Sequence, residues 1–366
     1  MTQDPGLANW LQLALTPGLG AAAILQLLRQ FGPPENVIAT KRAQLARFAP
    51  DSAIDALHSE EVARAVEGAL AWLEAPGNSV VTLGDADYPK LLLEIPDPPL
   101  LLYCRGQLQF LNRPALAVVG SRNATAQGVR NAEQFARALS EAGLTIVSGL
   151  AQGIDAAAHR GGLAAAGSTI AVLGTGADVV YPPANAVLTA EIAERGLLLS
   201  EFPLGSKPLA HNFPRRNRLI SGLAQGCVVV EAALASGSLI TARAAAEQGR
   251  EVFALPGSIH SPLAKGCHAL IKSGAKLAES AEDVLSELSA FRRTGFASTR
   301  TAADAPASAA HGEEPLLAHM GDEPVDVDSL CARAGLPAAH VSAELLRLEL
   351  AGRVAALPGG LFQRLA

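Results

Sequence analysis

Short apolar runs rich in β-branched residues alternate with alanine-rich helical segments through the central part of the chain. The apolar runs recur about every 25 to 30 residues, the length of one strand plus one crossover helix. Two of the helical segments, Ala132–Ala142 and Asp155–Ala166, are each followed by a glycine that can end a helix. The alternation predicts an α/β fold with a doubly wound, mostly parallel sheet. The predicted strands are Leu116–Val119, Thr145–Val147, Thr169–Leu173, Leu197–Leu199, Val228–Val230 and Val252–Leu255.

Residues 1–75 are predicted to form a small helical domain. Two segments with helical apolar periodicity, Leu7–Leu15 and Ala21–Phe31, flank the sequence Thr16-Pro17-Gly18-Leu19-Gly20, which is typical of a helix-hairpin-helix. The glycines of such a hairpin allow a tight turn that presents backbone N–H groups to a DNA phosphate. Because few basic residues lie nearby, packing or partner binding is an equally good interpretation of this motif.

Three further segments complete the expected domain plan. Residues 76–289 hold the α/β domain, and residues 290–315 are small, polar and aperiodic, which predicts a flexible linker. Residues 316–366 contain two helical segments, Val327–Ala334 and Ala339–Ala351, and then a hairpin, an order typical of a winged helix. The second of these helices is poor in basic residues, so contact with a partner or a DNA end competes with sequence-specific reading of the major groove.

The composition limits which classes of protein this chain can belong to. A chain of 366 residues with 49% hydrophobic content can bury a large core and smaller satellite domains. No run of about 18 uncharged apolar residues and no basic leader before an apolar run occurs, so we expect a cytoplasmic protein without membrane insertion. The four cysteines lack metal-site or CxxC spacing and are expected to be reduced core thiols: Cys104, Cys227, Cys267 and Cys331.

The formal net charge of −6 argues against a nucleic-acid-binding protein, because an acidic surface repels phosphate. That argument concerns the average and not a local patch. Between Phe202 and Val230 there is no Asp or Glu, and four basic residues with His211 make this segment locally cationic. The segment therefore predicts a local basic site, with a solvated surface loop as the structural alternative. The four basic residues are Lys207, Arg215, Arg216 and Arg218.

Small and polar residues follow each predicted strand of the sheet. Ligands of doubly wound sheets bind beyond the carboxyl ends of the strands, where the connecting loops diverge. Turns also need Gly, Ser and Asp for conformational reasons, so a purely structural explanation exists. Six such loops beside one basic segment favour a binding edge. The loops are Gly120–Asn123, Ser148–Asp155, Gly174–Gly176, Ser200–Pro203, Glu231–Ser238 and Pro256–Ser258.

Several enzyme classes lose support because their motifs do not occur in this sequence. No GxGxxG follows the first predicted strand, and no GxxxxGK[ST] occurs, which disfavours dinucleotide binding and a P-loop nucleotidase. Asp155 and His159 share one helical face as a possible acid/base or metal pair, or as a helix-start acid with a packed histidine. The enzyme alternative is a Rossmann-type nucleotide N-glycoside hydrolase, with Glu201 or Glu231 as the acid and Ser236-Gly237-Ser238 as a phosphate cradle.

Eight segments occur in the order and approximate spacing of one known family, and the chain resembles DNA-processing protein A (DprA, also called Smf). The resemblance covers about residues 80 to 285 and implies a Rossmann-like central domain. The flanking helical and winged-helix regions also resemble those of many family members. The segments are Val119–Arg122, Ser148–Asp155 with His159, Thr169–Gly174, Tyr181–Asn185, Ser200–Pro203, Phe213–Leu223, Glu231–Arg243 and Arg250–Gly257.

The resemblance implies a non-enzymatic protein of natural transformation and homologous recombination. Such a protein binds incoming single-stranded DNA, protects it and helps to load the RecA recombinase. The resemblance also implies a homodimer formed through the Rossmann-like domain, without a cofactor, a metal ion or catalytic residues.

Carried over by motif, Arg122 and the segment Phe213–Arg218 would grip phosphates, because guanidinium groups pair bidentately with phosphate oxygens. Phe213 is a candidate for base stacking or, alternatively, a core aromatic residue. Lys207 and Lys265 are weaker phosphate candidates. The full set of expected DNA-binding residues is Gly120, Ser121, Arg122, Gly149, Gln152, Gly153, Lys207, Phe213, Arg215, Arg216, Asn217, Arg218, Ser236, Gly237, Ser238 and Lys265.

Overall fold

A computed structural model describes residues 5–288, 315–321 and 324–365 of the chain. The predicted linker falls almost wholly outside the described residues. Sixteen α-helices are described in these ranges, with short 3-10 turns between some of them. The helices are α1 Pro5–Leu15, α2 Ala21–Phe31, α3 Pro34–Ala39, α4 Arg42–Leu45, α5 Asp51–Leu57, α6 Glu60–Trp72, α7 Ala126–Glu141, α8 Ile154–Leu163, α9 Ala186–Arg195, α10 Asn212–Gly222, α11 Ser238–Glu247, α12 Lys265–Lys272, α13 Ala281–Glu287, α14 Pro315–Met320, α15 Val327–Ala334 and α16 Ala338–Leu350.

Nine strands form one large sheet and three form a small one. The order in the large sheet is β1-β2-β6-β5-β4-β3-β7-β8-β9, and the order in the small sheet is β10-β12-β11. The strands are β1 Asn78–Thr82, β2 Leu101–Gly106, β3 Ala115–Val119, β4 Thr145–Ser148, β5 Thr169–Val172, β6 Leu197–Ser200, β7 Gly226–Val229, β8 Glu251–Ala254, β9 Lys276–Leu277, β10 Val325–Asp326, β11 Val354–Leu357 and β12 Leu361–Arg364.

The central sheet is parallel from β6 to β9, which confirms the predicted doubly wound α/β class. All six predicted strands are present, with their ends shifted by one or two residues. Three strands of the large sheet were not predicted. β1 and β2 pair antiparallel with each other and β2 pairs antiparallel with β6, whereas the short β9 pairs parallel with β8. An added antiparallel edge is common in doubly wound sheets.

Each face of the sheet packs against its own layer of helices. Along β3, Ala117 and Val119 point into the core covered by α10 and α11, whereas Leu116 and Val118 point into the core covered by α7 and α8. This period of two is what a strand buried on both faces requires. Its side chains are therefore apolar at every position, which is why these strands were recognisable in the sequence.

The sheet changes direction between β3 and β7. From β3 the chain proceeds through β4, β5 and β6 on one side, and it then returns through α10 to β7, which pairs with the other side of β3. The loops that leave the carboxyl ends of β3 and β7 therefore diverge. Such a switch point is where ligands of open α/β sheets bind.

The terminal regions have cores of their own. Leu13, Ile24 and Leu27 are buried among the N-terminal helices, where α1 and α2 match the two predicted segments. Near the C-terminus, α15 spans Val327–Ala334 as predicted, and Leu345 of α16 packs in a cluster with residues of the small sheet. The two helices and the β11–β12 hairpin have the order predicted for a winged helix.

Three of the four cysteines are buried and free, as expected for reduced core thiols. Burial raises the pKa of the Cys104 and Cys227 thiols to about 12 and that of Cys267 to about 11, so they stay protonated at neutral pH. Cys331 is half-buried and free. Within the described ranges, no helix combines the length and apolar character that a membrane crossing would need.

Candidate functional site

A cleft of about 760 Å³ lies over the carboxyl ends of β3, β4 and β7, at the switch point of the sheet. Its position is the one expected for a ligand site in this class of fold. We call it the switch-point cleft. The residues that line it are Val119, Gly120, Ser121, Arg122, Asn123, Ala151, Asp155, Tyr181, Pro208, Ala210, Phe213, Pro214, Arg216, Asn217, Ile220, Ala233, Ala235, Ser236, Gly237, Ser238, Ile240, Thr241 and Leu263.

The loop after β3 is held rigidly and presents Arg122 to the cleft. The Ser121 N–H donates to the Glu231 carbonyl at 2.8 Å, and the Ile154 N–H donates to the Ser121 carbonyl at 3.1 Å. Gly153 lies directly against this loop with φ +74°, where an added Cβ would come within 2.6 Å of the Arg122 carbonyl. The backbone is therefore fixed on both sides, while the Arg122 side chain is exposed.

The loop after β4 is organised by two buried titratable side chains. The Asp155 carboxylate accepts hydrogen bonds from the N–H groups of Gly149 at 3.1 Å and Ala151 at 3.4 Å. His159 Nε2 accepts from the Leu150 N–H at 3.2 Å. These bonds satisfy backbone groups of the loop and leave Gln152 exposed at its tip.

The protonation of this pair follows from its environment. Burial is the main reason that the pKa of His159 falls to about 3, with repulsion from Arg216 and Arg160 adding to it. Since Nε2 is an acceptor, Nδ1 carries the proton and donates to Thr169 Oγ1 at 2.7 Å. Burial raises the pKa of Asp155, which Arg216 and the two backbone donors oppose. Both side chains thus serve the loop structure, which agrees with the structural interpretation of the Asp155 to His159 spacing.

Arg216 lines the switch-point cleft but is almost completely buried. Its side chain donates to the Gly149 carbonyl at 2.7 Å and also to the Val172 carbonyl, which joins the ends of β4 and β5. The residue is 4% exposed, and burial lowers its pKa to about 10, so it keeps its charge at neutral pH. Expected from the sequence to grip phosphate, Arg216 is placed where it positions the loops and adds charge beneath the cleft.

Arg218 is likewise committed to protein partners. Its guanidinium contacts the Glu201 carboxylate and lies 2.7 Å from Asp97 Oδ2. Arg215, one helical position before Arg216, has a side chain that is 59% exposed and stacks over the Phe202 ring at 5.5 Å. Of the three arginines of α10, Arg215 has the most exposed side chain, and its Nε lies 3.6 Å from Glu201 Oε1.

An aromatic pair forms one wall of the cleft. The ring of Phe213 packs on Gly174, where an added Cβ would lie 2.7 Å from the ring, and its centroid is 5.5 Å from that of Tyr181. The Arg122 guanidinium lies 5.9 Å from the Phe213 ring. Phe213 is half-buried, so one part of its ring is packed and another part faces the cleft.

The Ser236-Gly237-Ser238 turn lies at the start of α11 and lines the cleft opposite Arg122. Ser236 Oγ and Ser238 Oγ share a hydrogen bond of 2.7 Å, and the Asn217 amide lies 3.5 Å from the Gly237 carbonyl. Lys207 and Lys265 are exposed, but neither lines the cleft, and Lys265 Nζ donates to the Ile259 carbonyl. The cleft is lined by nine of the sixteen expected residues. The other seven are outside its lining: Gly149, Gln152, Gly153, Lys207, Arg215, Arg218 and Lys265.

Comparison with known proteins gives the family. A family profile described as DNA recombination-mediator protein A matches residues 79–289, and one described as DprA winged helix domain matches residues 300–360. Protein Smf of Escherichia coli K12 is 46% identical over 307 residues, which cover 81% of this chain and 80% of that protein. The chain belongs to the DprA/Smf family.

Solved structures of DprA/Smf proteins share this architecture. The X-ray structure of DprA from Streptococcus pneumoniae matches with a TM-score of 0.68 and 41% identity, covering 79% of this chain and 99% of that one. DprA from Helicobacter pylori, whose structure describes a single-stranded DNA binding mode, matches with a TM-score of 0.52 and 32% identity. That match covers 56% of this chain and 94% of the other.

Sequence reasoning did not include Tyr181 or Asn185 among the site residues, although Tyr181 lines the switch-point cleft and Asn185 contacts the loop after β4. Tyr181 is exposed beside Phe213. The sequence feature that could have indicated it is the aromatic residue at the start of the motif Tyr181-Pro182-Pro183-Ala184-Asn185. The Asn185 amide donates to the carbonyls of Leu150 at 2.9 Å and Ala151 at 3.3 Å, which links the two loops. The Asn185 contact has no signature in the local sequence.

The carboxylates required by the hydrolase alternative are both engaged. Glu231 accepts from the Thr125 N–H at 2.9 Å and from Thr125 Oγ1 at 2.6 Å, at the start of α7. A phosphate of a dinucleotide would occupy this helix start, which the Glu231 carboxylate already fills. Glu201 is paired with arginines. Within the ranges that the structure describes, no group of three His, Cys, Asp or Glu side chains is arranged to hold a metal ion.

Proposed function

We propose that this chain binds single-stranded DNA in the switch-point cleft. The observation that carries the proposal is the wall formed by Arg122, Phe213 and Tyr181, in which an exposed guanidinium adjoins two aromatic rings. A cation beside stackable rings suits a strand whose phosphates are charged and whose bases are free to stack. The DNA-binding mode described for the Helicobacter pylori relative supports this choice of ligand.

A duplex fits the same wall poorly. Its bases are stacked inside the helix, so Phe213 and Tyr181 would gain no stacking partner. The acidic net charge of −6 also gives a long duplex backbone little general attraction. We therefore infer a preference for unpaired strands, with affinity that depends on a few local phosphate contacts.

The proposed contacts are revised from the sequence expectation. Arg122 and Arg215 contact phosphates, Phe213 and Tyr181 stack on bases, and Gln152 lies at the exposed tip of the neighbouring loop. Backbone and side-chain groups along Gly120–Arg122 and Ser236–Ser238 complete the surface. Arg216 and Arg218 hold these elements in place, and Lys207 and Lys265 are peripheral.

The biological role that we propose is recombination mediation in natural transformation. The chain would protect incoming single-stranded DNA and help to load RecA onto it, as a cytoplasmic homodimer that joins through the Rossmann-like domain. The description of the matching family as recombination mediators supports this role. The engaged state of Glu201 and Glu231 supports a binding protein without a catalytic cycle of its own.

The test is fluorescence anisotropy of a labelled unstructured strand and of its duplex over a series of salt concentrations. We expect the single strand to bind at least about tenfold more tightly than the duplex, a difference of about 1.4 kcal/mol. The logarithm of the affinity should fall linearly with the logarithm of salt concentration, by about 0.7 for each phosphate neutralised. Equal affinity for both DNA forms, or no binding, would refute the proposal.

A further inference from the structure

Two sequence motifs that the switch-point cleft does not use meet at a second cavity. The turn Thr16–Gly20 and the segment Ser200–Pro203 lie on opposite sides of a cavity of about 460 Å³, which we call the α2 cavity. Its volume lies within the range of about 300 to 1,000 Å³ that small-ligand sites occupy. It is lined by Ala14, Leu15, Gly18, Leu19, Gly20, Ala21, Ile24, Asp97, Pro99, Leu100, Leu101, Tyr103, Glu201, Phe202, Pro203, Arg215 and Arg218.

Glu201 brings an unsatisfied acceptor to this cavity. Its side chain is 4% exposed, and one carboxylate oxygen, Oε2, accepts a hydrogen bond from Arg218. The other oxygen, Oε1, has no hydrogen-bond partner and lies 3.6 Å from Arg215 Nε, beyond hydrogen-bonding distance. A buried acceptor without a donor is costly, so this oxygen is suited to a ligand that supplies an N–H group.

The remaining walls suit a flat, largely apolar group. Leu15, Leu19 and Ile24 face the cavity from the N-terminal helices, and the Phe202 ring with the Arg215 guanidinium over it forms the opposite side. The first turn of α2 also lines the cavity and has no side-chain cap.

The α2 cavity adjoins the switch-point cleft. Arg215 lines the α2 cavity, and its chain neighbours Pro214 and Arg216 line the cleft. The two cavities are therefore separated by the first turn of α10. A strand that leaves the cleft over this turn reaches the α2 cavity directly.

We propose that the α2 cavity is a base-binding subsite of the DNA path, selective for guanine, and this inference rests on the proposed single-strand binding. Guanine carries N1–H and an adjacent amino group, both donors that can face a carboxylate. Adenine and cytosine place a ring-nitrogen acceptor beside their amino group, and thymine flanks its single N–H with two carbonyl oxygens. Each of these three bases would place a hydrogen-bond acceptor next to the Glu201 carboxylate, and the two acceptors would repel each other.

Arg215 controls access to Glu201. Its side chain is largely exposed and its Nε lies 3.6 Å from Oε1, so this ion pair is replaced more easily than the hydrogen-bonded pair of Arg218 and Glu201. When Arg215 moves to a phosphate of the bound strand, Oε1 loses its nearest cation and becomes available to the base. Guanine binding in this cavity is thus coupled to the phosphate contact at Arg215.

The test compares thymidine strands that carry one guanine at successive positions with the all-thymidine strand, using the full chain and anisotropy. We expect one position at which guanine raises the affinity at least about fivefold, since a bidentate base contact discriminates by roughly 1 to 3 kcal/mol. Inosine, which lacks the amino group, and 2-aminopurine, which lacks N1–H, should each lose most of this gain. Equal affinity for every strand would overturn the subsite while leaving single-strand binding intact, and absence of all binding would overturn both.

Glu201→Gln is the matching variant, because it keeps the shape of the side chain and removes its charge. We expect it to lose the guanine preference, so that the guanine-containing strands bind this variant with the same affinity as the all-thymidine strand. The control is Glu94→Gln, a carboxylate that pairs at 2.8 Å with Arg250 outside both cavities, and it should retain the preference. A folded Glu201→Gln protein that still selects guanine would overturn the proposal. If the variant does not fold, the series of strands measured with the parent protein tests the proposal.

Discussion

The three arginines of α10 show how nearby positions of one helix acquire different roles. Arg215 points outward, Arg216 is buried beneath the loops, and Arg218 is paired with Glu201 and Asp97. Successive residues of a helix are about 100° apart, so one basic run must divide among solvent, core and neighbouring elements. The sequence therefore predicts a cationic segment but not which of its guanidinium groups remain available to DNA.

His159 makes a residue-scale prediction about stability. Its pKa is lowered from the ordinary 6.5 to about 3 by burial, so below pH 6.5 the unfolded chain binds a proton that the native protein does not. Native stability must therefore fall as the pH falls through this range. Between pH 6.5 and about pH 5 the loss from this one group is about 2 kcal/mol.

The measurement is the free energy of unfolding in urea for the parent protein and for His159→Gln. Asp155, whose raised pKa acts in the opposite direction, is present in both proteins and largely cancels in the comparison. We expect the parent to lose about 2 kcal/mol more than the variant over this pH interval. Parallel pH profiles would show that His159 is not held neutral in the native protein.

At the scale of elements, the loops of the cleft depend on close backbone contacts. Gly153 has φ +74° and lies against the loop that carries Arg122, whereas Gly205 has the same φ with no atom within 4 Å of an added Cβ. An alanine at either position must adopt a positive φ, which costs roughly 1 to 2 kcal/mol even in the favourable left-handed region, and Gly153 lies outside that region with ψ −123°. Only at Gly153 does steric overlap with fixed backbone add to this cost.

Gly153→Ala should therefore destabilise the protein by about 3 kcal/mol or more and weaken DNA binding, because the Arg122 loop must move. Gly205→Ala is the matched control and should cost about 1 kcal/mol with unchanged DNA affinity. Urea denaturation and anisotropy on both variants provide the two measurements. Equal losses in the two proteins would contradict the close packing described for these loops.

The central strands could be predicted because burial on both faces makes them apolar throughout. The edge strands β1 and β2 could not, since their pairing is set by contact with β6 and leaves no local signature. The helix that begins at Ala126 was expected six residues later, because its start depends on Thr125, which caps the Gly128 N–H and is held by the distant Glu231. Contacts between distant residues thus explain both the unpredicted edge strands and the wrongly predicted helix start.

At the scale of the whole molecule, an acidic protein is proposed to bind an acidic polymer. The formal net charge is −6, yet the acidic groups nearest the cleft are occupied, Glu231 at a helix start and Asp155 by backbone donors. The general surface contributes little attraction, so affinity must come from the local contacts of the cleft. The site could be located from the order of its motifs, whereas the contributions of individual side chains required the folded structure.

The separate core of the C-terminal winged-helix region leads to a prediction about removing that region. The second winged-helix helix has a single arginine, Arg347, and also carries Glu344 and Glu349, so it offers a phosphate little positive charge. Removal of residues 290–366 should therefore leave the single-strand affinity within about tenfold of that of the full chain. Anisotropy of the truncated protein, after circular dichroism has shown that it is folded, tests this. A larger loss would assign a main DNA contact to the C-terminal region.

The most direct test of the central claim compares Arg122→Ala with Arg113→Ala. Arg122 follows β3 and lies 5.9 Å from the ring of Phe213 in the cleft, and Arg113 precedes β3 and lies 5.0 Å from the ring of Phe110 at the opposite end of the strand. Both are exposed arginines beside a phenylalanine, so they differ chiefly in position.

The measurement is single-strand affinity over a salt series for the parent and both variants. We predict that Arg122→Ala weakens binding by about tenfold and reduces the salt slope by about 0.7, the loss of one phosphate contact, while Arg113→Ala matches the parent. Equal affinities and salt slopes for Arg122→Ala and the parent would contradict the assignment of the switch-point cleft as the DNA-binding surface.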